Sequence, residues 1–501
     1  MNFLNCIIKI LSFLFFTFIY FIINYSIIEK NHIKFMRKTA SECTLFLNLN
    51  NEFPIEKPCN VLLIGSGARN TIKGGLGSGD VDSHFFTTCE EGLEKAGFKI
   101  TSKEWLSDYS SIKEANLNEH MTYIKNIYKK YKAFMPFGMV SFPEVEYELK
   151  IDEIDIIPDI AIYVLARNSG EGLDRRPIKG EVFLTNKEIK DILYLNKNYK
   201  KFMLVLNVGG VVDLSPIKSV SNILLLSQLG VVTGDILADI ILGKTNPSGK
   251  LATSWAAFED YKFINEFGNL DETDYLEGIY VGYRYFDSAG VKPLYPFGFG
   301  KSYTSFEIKK ISLNNLKDKI FIKIKLKNIG NFSGKEVVQV YVSPSQENMD
   351  KPYQSLVAFK KSELLKPSKE VEMTISFRLR DVARYDIEKA CYILDKGNYI
   401  IRVGNSSRNT KIYGYIKLND NIVTEQLKNI VKSPNFKDYK PNLKDLKESL
   451  SDYQKIQLTI EDFDFNEINY KYEYNTSNKT YEAIAHEENI SKEDRENNLF
   501  F

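Results

Sequence analysis

Three stretches of this 501-residue chain carry residue types that can do chemistry. The first is KGGLGSGD, Lys73–Asp80, shortly after an apolar run. Its glycines accept positive φ and let backbone N–H groups approach a ligand closely, so the loop could cradle a phosphate or border a cleft. It lacks the GK[ST] ending of a P-loop, and Gly65-Ser66-Gly67-Ala68-Arg69-Asn70 breaks the dinucleotide spacing, so a plain strand-to-helix turn stands beside that reading. The second is RNSGEGLDR, Arg167–Arg175, directly after the apolar run AIYVLA. Glu171 sits there between two glycines, on backbone free enough to bring a general acid to a leaving-group oxygen; a solvated loop glutamate is the alternative. The third is EGIYVGYRYFD, Glu277–Asp287, followed by YPFGFGKSYTSF, Tyr295–Phe306. Its Tyr, Phe and Gly could form a stacking platform for a sugar, with Arg284 as a hydrogen-bonding fork, or a packing seam between domains.

The elements that position these stretches follow from hydrophobic pattern. Val61–Gly65, Ala161–Ala166 and Phe202–Asn207 are continuous apolar runs, the mark of parallel strands buried on both faces. Between them Glu90–Gly97, Glu119–Tyr131 and Asn186–Leu195 have helical spacing, and Thr185 with Glu188 matches a capping box. Alternation of this kind predicts a doubly wound α/β sandwich domain, which would place Glu171 at the carboxyl end of a strand, where such sheets bind ligands. After Tyr303 the pattern changes. Phe321–Asn328, Val337–Ser343, Val371–Phe377 and Tyr399–Gly404 alternate with period two between turn residues, predicting a β-sandwich. Beyond Leu418 polar sequence predicts a linker or a partly disordered tail. The expected domains are 1–35, 36–300, 301–418 and 419–501.

Composition narrows the partners. The 66 basic and 65 acidic residues leave a formal charge of +1, so no field draws nucleic acid or an anionic surface. Five cysteines and four histidines are scattered without ligand spacing, which predicts neither a disulfide framework nor a metal site, and no cofactor is expected. Ile10–Ile28 is 19 uncharged residues, long enough to span a bilayer as a membrane anchor or to serve as a signal-like segment. Lys30, Lys34, Arg37 and Lys38 follow it, against Lys9 before it, which would keep the globular part cytoplasmic. A start at Met36, giving a cytoplasmic protein without the tether, is the other reading.

Taken together, the segments resemble glycoside hydrolase family 3 from about Arg37 to Leu418. KGGLGSGDV, ARNSGEGLDR, VLNVGGVVDL, LGKTNPSGKLATSW and YRYFD…YPFGFGKSYTSF follow in the family's order. KNIGNFSGKEVVQVYVS and GNYIIRVGNSS are similar to its fibronectin type III-like domain. The resemblance implies a β-glucosidase-type retaining hydrolase acting on a β-linked glucoside or oligosaccharide. It implies Glu171 as general acid/base, supporting roles for Asp174 and Arg175, and a cleft bordered by Ser78 and Gly79. One departure is Leu229–Asp235, where Val232 stands at about the place of a glutamate common in the family.

Retaining glycosidases need a second carboxylate about 5–5.5 Å from the first, as nucleophile. The family carries it as an aspartate in an SDW-like motif on a TIM barrel; this sequence has no SDW, and no barrel pattern precedes Asn60. Most members place the barrel first, whereas a subset that this chain resembles places it last. The polar stretch after Leu418 is far shorter than the roughly 200 residues a barrel needs. The expectation is therefore a chain with the acid/base domain and no nucleophile of its own, truncated or completed by a separately encoded barrel. The alternative is a non-catalytic carbohydrate-binding or structural remnant, and a nucleotide-binding protein using Gly74–Gly79 is a weaker third.

Overall fold

A computed structural model describes residues 27–76, 79, 81–131, 157–169, 175–262, 275–345, 350–428, 439–441, 449–463, 471–475 and 480–484. The apolar runs become the strands of one six-stranded sheet: β1 (Leu45–Asn48), β2 (Asn60–Ile64), β3 (Lys99–Ile100), β4 (Ile160–Arg167), β5 (Phe202–Val208) and β6 (Ile223–Leu225). Their order is β1-β6-β5-β4-β2-β3, and every neighbouring pair is parallel except β1 with β6. All eight residues of β4 and all seven of β5 are buried, as a sheet covered on both faces requires. From β2 the chain builds outward to β3, then returns across β2 to β4 and builds the other way. The β2/β4 boundary is thus the topological switch point, the place at the strands' carboxyl ends where open α/β sheets commonly bind ligands.

Helices α1 (Cys89–Lys95), α2 (Lys103–Tyr131), α3 (Asn186–Asn198) and α4 (Thr233–Ile241) accompany the sheet. The capping box of Thr185 and Glu188 is formed, and a second one joins Thr88 and Glu91. Helix α2 begins at Lys103 instead of Glu119, because Trp105, Leu106 and Tyr109 supply a buried face at helical spacing. Helices α1 and α4 touch backbone to backbone: a Cβ on Gly92 would stand 2.1 Å from the Gly234 carbonyl. Residues 27–40 are helical, and Arg37 ties them to α4 through Asp239 (2.7 Å) and Asp235 (3.1 Å). Among the described residues no helix is long and apolar enough to cross a membrane; positions 10–26 of the apolar N-terminal segment lie outside them.

The second domain is a sandwich. One sheet runs β10 (Ser355–Lys361), β9 (Val337–Ser343), β14 (Gly397–Ser406), β15 (Asn409–Leu418) and β17 (Lys455–Leu458); another runs β11 (Glu370–Arg378), β8 (Lys319–Asn328) and β7 (Phe306–Leu316). A small third sheet joins β12 (Arg384–Asp386), β13 (Cys391–Leu394) and β16 (Ile422–Gln426). β8 alternates buried and half-buried residues without a break, and its Ile320, Ile322, Ile324 and Leu326 meet Val338, Val340, Ile401 and Val403 in one core. Two of these strands, β16 and β17, come from the stretch read as linker or tail: Ile456 and Leu458 give β17 a buried face, and it pairs in parallel with β15. A hairpin of β18 (Lys471–Asn475) and β19 (Thr480–Ile484) follows.

Candidate active site

The loop after β2 is stapled to β4 from its first residue. Gly65 has φ +98°, and a Cβ there would come within 2.5 Å of the Val164 carbonyl, so only glycine fits. Gly67 N–H donates to that same carbonyl (2.9 Å), and Ser66 Oγ accepts from Ala166 N–H (3.0 Å). The glycine-rich stretch is then held by Asn207, the fully buried polar residue near the end of β5. Its side-chain oxygen accepts from Ile72 N–H (2.6 Å), and its amide donates to the carbonyls of Ile72 (2.9 Å) and Ser227 (2.7 Å). Gly230 N–H donates to the Lys73 carbonyl (3.0 Å), so the loop after β6 joins the cluster.

The loop after β4 enters the same network. Leu76 N–H donates to the Ser169 carbonyl (3.1 Å), Asn168 donates to the Gly74 carbonyl (3.2 Å), and Gln228 donates to Asn168 (3.2 Å). Just before it, Arg167 forms a buried two-pronged pair with Glu188 (2.6 and 2.8 Å) and donates to the Glu181 carbonyl. Glu188 therefore caps α3 and anchors the exit of β4. Glu181 in turn holds Arg176 through its backbone N–H and guanidinium. The loop carrying Glu171 is thus fixed at both ends, by Arg167 to Asn168 and by Arg175 to Arg176.

Of the residues singled out from sequence, Ser78, Glu171 and Asp174 lie outside the described residues. Gly79 is exposed, with open space where a Cβ would be. Arg175 reaches across to the β5 loop, donating to the Val211 carbonyl (2.6 Å), and its guanidinium occupies space that any side chain at Gly210 would need. Burial, with Arg167 nearby, lowers its pKa, and its Nη1 is buried without a hydrogen-bond partner among the described residues. A cation so placed can draw a carboxylate or a developing oxyanion toward the loop. Among the described residues no three metal-ligating side chains cluster. Val232 is wholly buried in the turn before α4, so that position is core, not a ligand contact.

The aromatic stretch resolves as a seam. Tyr280 and Phe286 are buried, Tyr283 stacks on Phe297 (4.5 Å) and accepts from Leu356 N–H (2.8 Å), and Asp287 is held by Gln354 and Arg408. The contacts to Leu356, Gln354 and Arg408 cross between the domains. Asp287 keeps a pKa above the usual range because burial outweighs its hydrogen-bond partners.

Comparison with known proteins matches residues 43–303 to the glycosyl hydrolase family 3 C-terminal domain and residues 336–407 to a fibronectin type III-like domain. This chain belongs to glycosyl hydrolase family 3. Beta-glucosidase A of Butyrivibrio fibrisolvens is 35% identical over 453 residues, covering 80% of this family 3 chain and 53% of the relative. A beta-glucosidase of Ruminococcus albus is 31% identical over 417 residues, covering 79% and 42%. The structure of beta-glucosidase 3B from Thermotoga neapolitana in complex with alpha-D-glucose superposes with a TM-score of 0.68 at 32% identity, covering 79% of this chain and 55% of that one. The chain spans about half the length of the curated relatives it matches. Asn207, Arg167 and Glu188 had escaped the sequence reading as a unit; the one available signal was a polar residue at the end of the apolar run FMLVLN.

Proposed function

We propose that this chain supplies the acid/base half of a retaining β-glucosidase site, with Glu171 as the proton-transfer residue. The observation that supports the reading is the switch point: the Gly-rich loop and the Glu171 loop follow β2 and β4, the two strands that flank it, and they are hydrogen-bonded to each other through Leu76, Ser169, Gly74 and Asn168. In the first step Glu171 would protonate the glycosidic oxygen as the bond to the anomeric carbon breaks and a nucleophilic carboxylate bonds to that carbon. In the second, ionised Glu171 would take a proton from the water that displaces the carboxylate, which restores both groups. The nucleophile would come from a barrel domain outside this sequence, in the same protein or in a partner. Closure of that barrel over these loops would exclude water and raise the Glu171 pKa toward neutrality, as a general acid needs. Arg175 would hold the loop and offset charge on the ionised carboxylate.

The test is hydrolysis of p-nitrophenyl β-glucoside by the chain alone and by the chain joined to a family 3 barrel. The expected result is silence from the first and turnover from the second, with Glu171→Gln lowering turnover about 10²–10⁴-fold. Turnover by the chain alone would place a nucleophile within it. Silence from both, beside a barrel shown to be folded, would favour the non-catalytic binding role.

A further inference from the structure

A cleft lies beside the segment Leu49–Pro54 that follows β1, and β1 stands three strands away from β4 in the sheet. Its volume is about 1000 Å³, and both domains build it, which is where small-molecule sites are commonly found. Three features describe what it would hold. Two of its cations are paired: Lys250 Nζ donates to Glu336 (2.6 Å) and to the Gly300 carbonyl (2.9 Å), Glu336 accepts from Asn405 Nδ2 (3.1 Å), and Lys335 pairs with Glu42 behind the wall, while Lys301 adds an exposed ammonium at the rim. Such a wall offers directed hydrogen-bond donors and acceptors. Next, Phe332 is 38% exposed at the cleft and rests beside Tyr303 with ring centroids 5.6 Å apart, giving an apolar face that solvent already reaches. Finally, Ser248 is only 5% exposed, lines the cleft, and has a hydroxyl with no hydrogen-bond partner among the described residues. Buried hydroxyls are nearly always satisfied, so this one marks a position for a ligand or water hydroxyl.

An aromatic face beside hydrogen-bonding side chains and an unmet hydroxyl matches a ring that is apolar on its C–H faces and hydroxylated at its rim. We infer that this cleft is a binding site for an oligosaccharide, separate from the switch point at β2 and β4. Its volume is at the upper end of ligand pockets, about 300–1,000 Å³, so it has room for more than one pyranose ring. The inference stands whatever the role of Glu171.

The test titrates the full chain calorimetrically with cellotetraose, xylotetraose and mannotetraose, using wild type, Phe332→Ala, Ser248→Ala and Glu171→Gln, each checked for an unchanged melting temperature. Saturable binding of at least one sugar is expected, weakened about tenfold by Phe332→Ala, as loss of an aromatic contact implies, and less by Ser248→Ala. Glu171→Gln should bind as wild type does. Phe332→Leu replaces Phe332→Ala if the latter melts early, and should also weaken binding. Absence of saturable binding for all three sugars would overturn the inference. So would binding that both cleft variants leave unchanged, or that Glu171→Gln abolishes.

Discussion

The α/β sheet and the sandwich bury their strands in different ways. In β4 and β5 every residue is covered, whereas β8 alternates between core and surface along its length. A strand covered on both faces has no side chain left to meet a substrate, so chemistry is confined to the loops at its carboxyl end. There Asn207, Arg167 and Glu188 hold the loops after β2, β4 and β6. A strand covered on one face leaves the other free to vary, and the sandwich's polar groups act where it meets its neighbour, at Glu336 and Lys335. The difference separates a domain built to aim loops from one built to form a wall.

The sharpest way to break this comparison is Arg167→Ala. It leaves Glu188 and the Glu181 carbonyl without their buried partner, and should lower the free energy of unfolding by about 3–5 kcal/mol in urea denaturation. A loss under about 1 kcal/mol would mean that the exit of β4 is held by something else. The strand contrast itself is tested by neighbouring substitutions. Leu204→Ala should cost about 2–5 kcal/mol and its neighbour Val205→Ala a comparable though smaller amount, since both are fully buried. In β8, Ile324→Ala should cost as much as Leu204→Ala, while its neighbour Lys323→Ala should cause no resolvable change. Equal costs along β8 would refute the one-sided description.

Smaller effects sharpen the picture. Asn207→Ala removes three partly buried hydrogen bonds and should cost about 1–3 kcal/mol. It should also speed amide exchange at Ile72 relative to Val164, which would distinguish loosening of the loop from global destabilisation. The smallest effect belongs to the clamp of Glu42, just ahead of β1, with Lys335 and Lys361 of the sandwich (2.5 and 3.0 Å). Partial burial works to raise the Glu42 pKa, but the two ammonium groups outweigh it and hold the carboxyl below its usual value. A depressed acid stabilises the fold fully above its unfolded pKa, near 4.3, and loses that contribution as pH falls through the lower folded value. Glu42→Gln should therefore cost less than about 1 kcal/mol at pH 7, and its difference from wild type should vanish once the pH has fallen through the lowered folded pKa. A difference that persists at low pH would assign the effect to packing.

Much of this was legible in the sequence, for a physical reason. The runs VLLIG, AIYVLA and FMLVLN are too uniformly apolar for anything but two-sided burial, and FIKIKLKN alternates too regularly to be helical. Thr185 and Glu188 announced their cap by spacing alone. What pattern could not show was long-range pairing: Glu188 reads as a local capping residue, yet it is also the counter-ion of Arg167, and nothing local links them. The short strands β1, β3 and β6 have too few residues to display a period. β16 and β17 lie in polar sequence where only alternate residues, such as Ile456 and Leu458, carry the core. The aromatic stretch at Glu277–Asp287 left two readings open, and the partners of Tyr283 and Asp287 resolve it as a seam.

The most direct test of the account concerns proton transfer by Glu171. In the chain joined to a family 3 barrel, the rates of wild type and Glu171→Gln should be compared on aryl β-glucosides of graded leaving-group acidity. A general acid matters most for a poor leaving group, so the variant should lose about 10²–10⁴-fold on a phenyl glucoside and far less on a 2,4-dinitrophenyl glucoside in the glycosylation step. Losses of equal size across the series, or no loss at all, would contradict Glu171 as the acid.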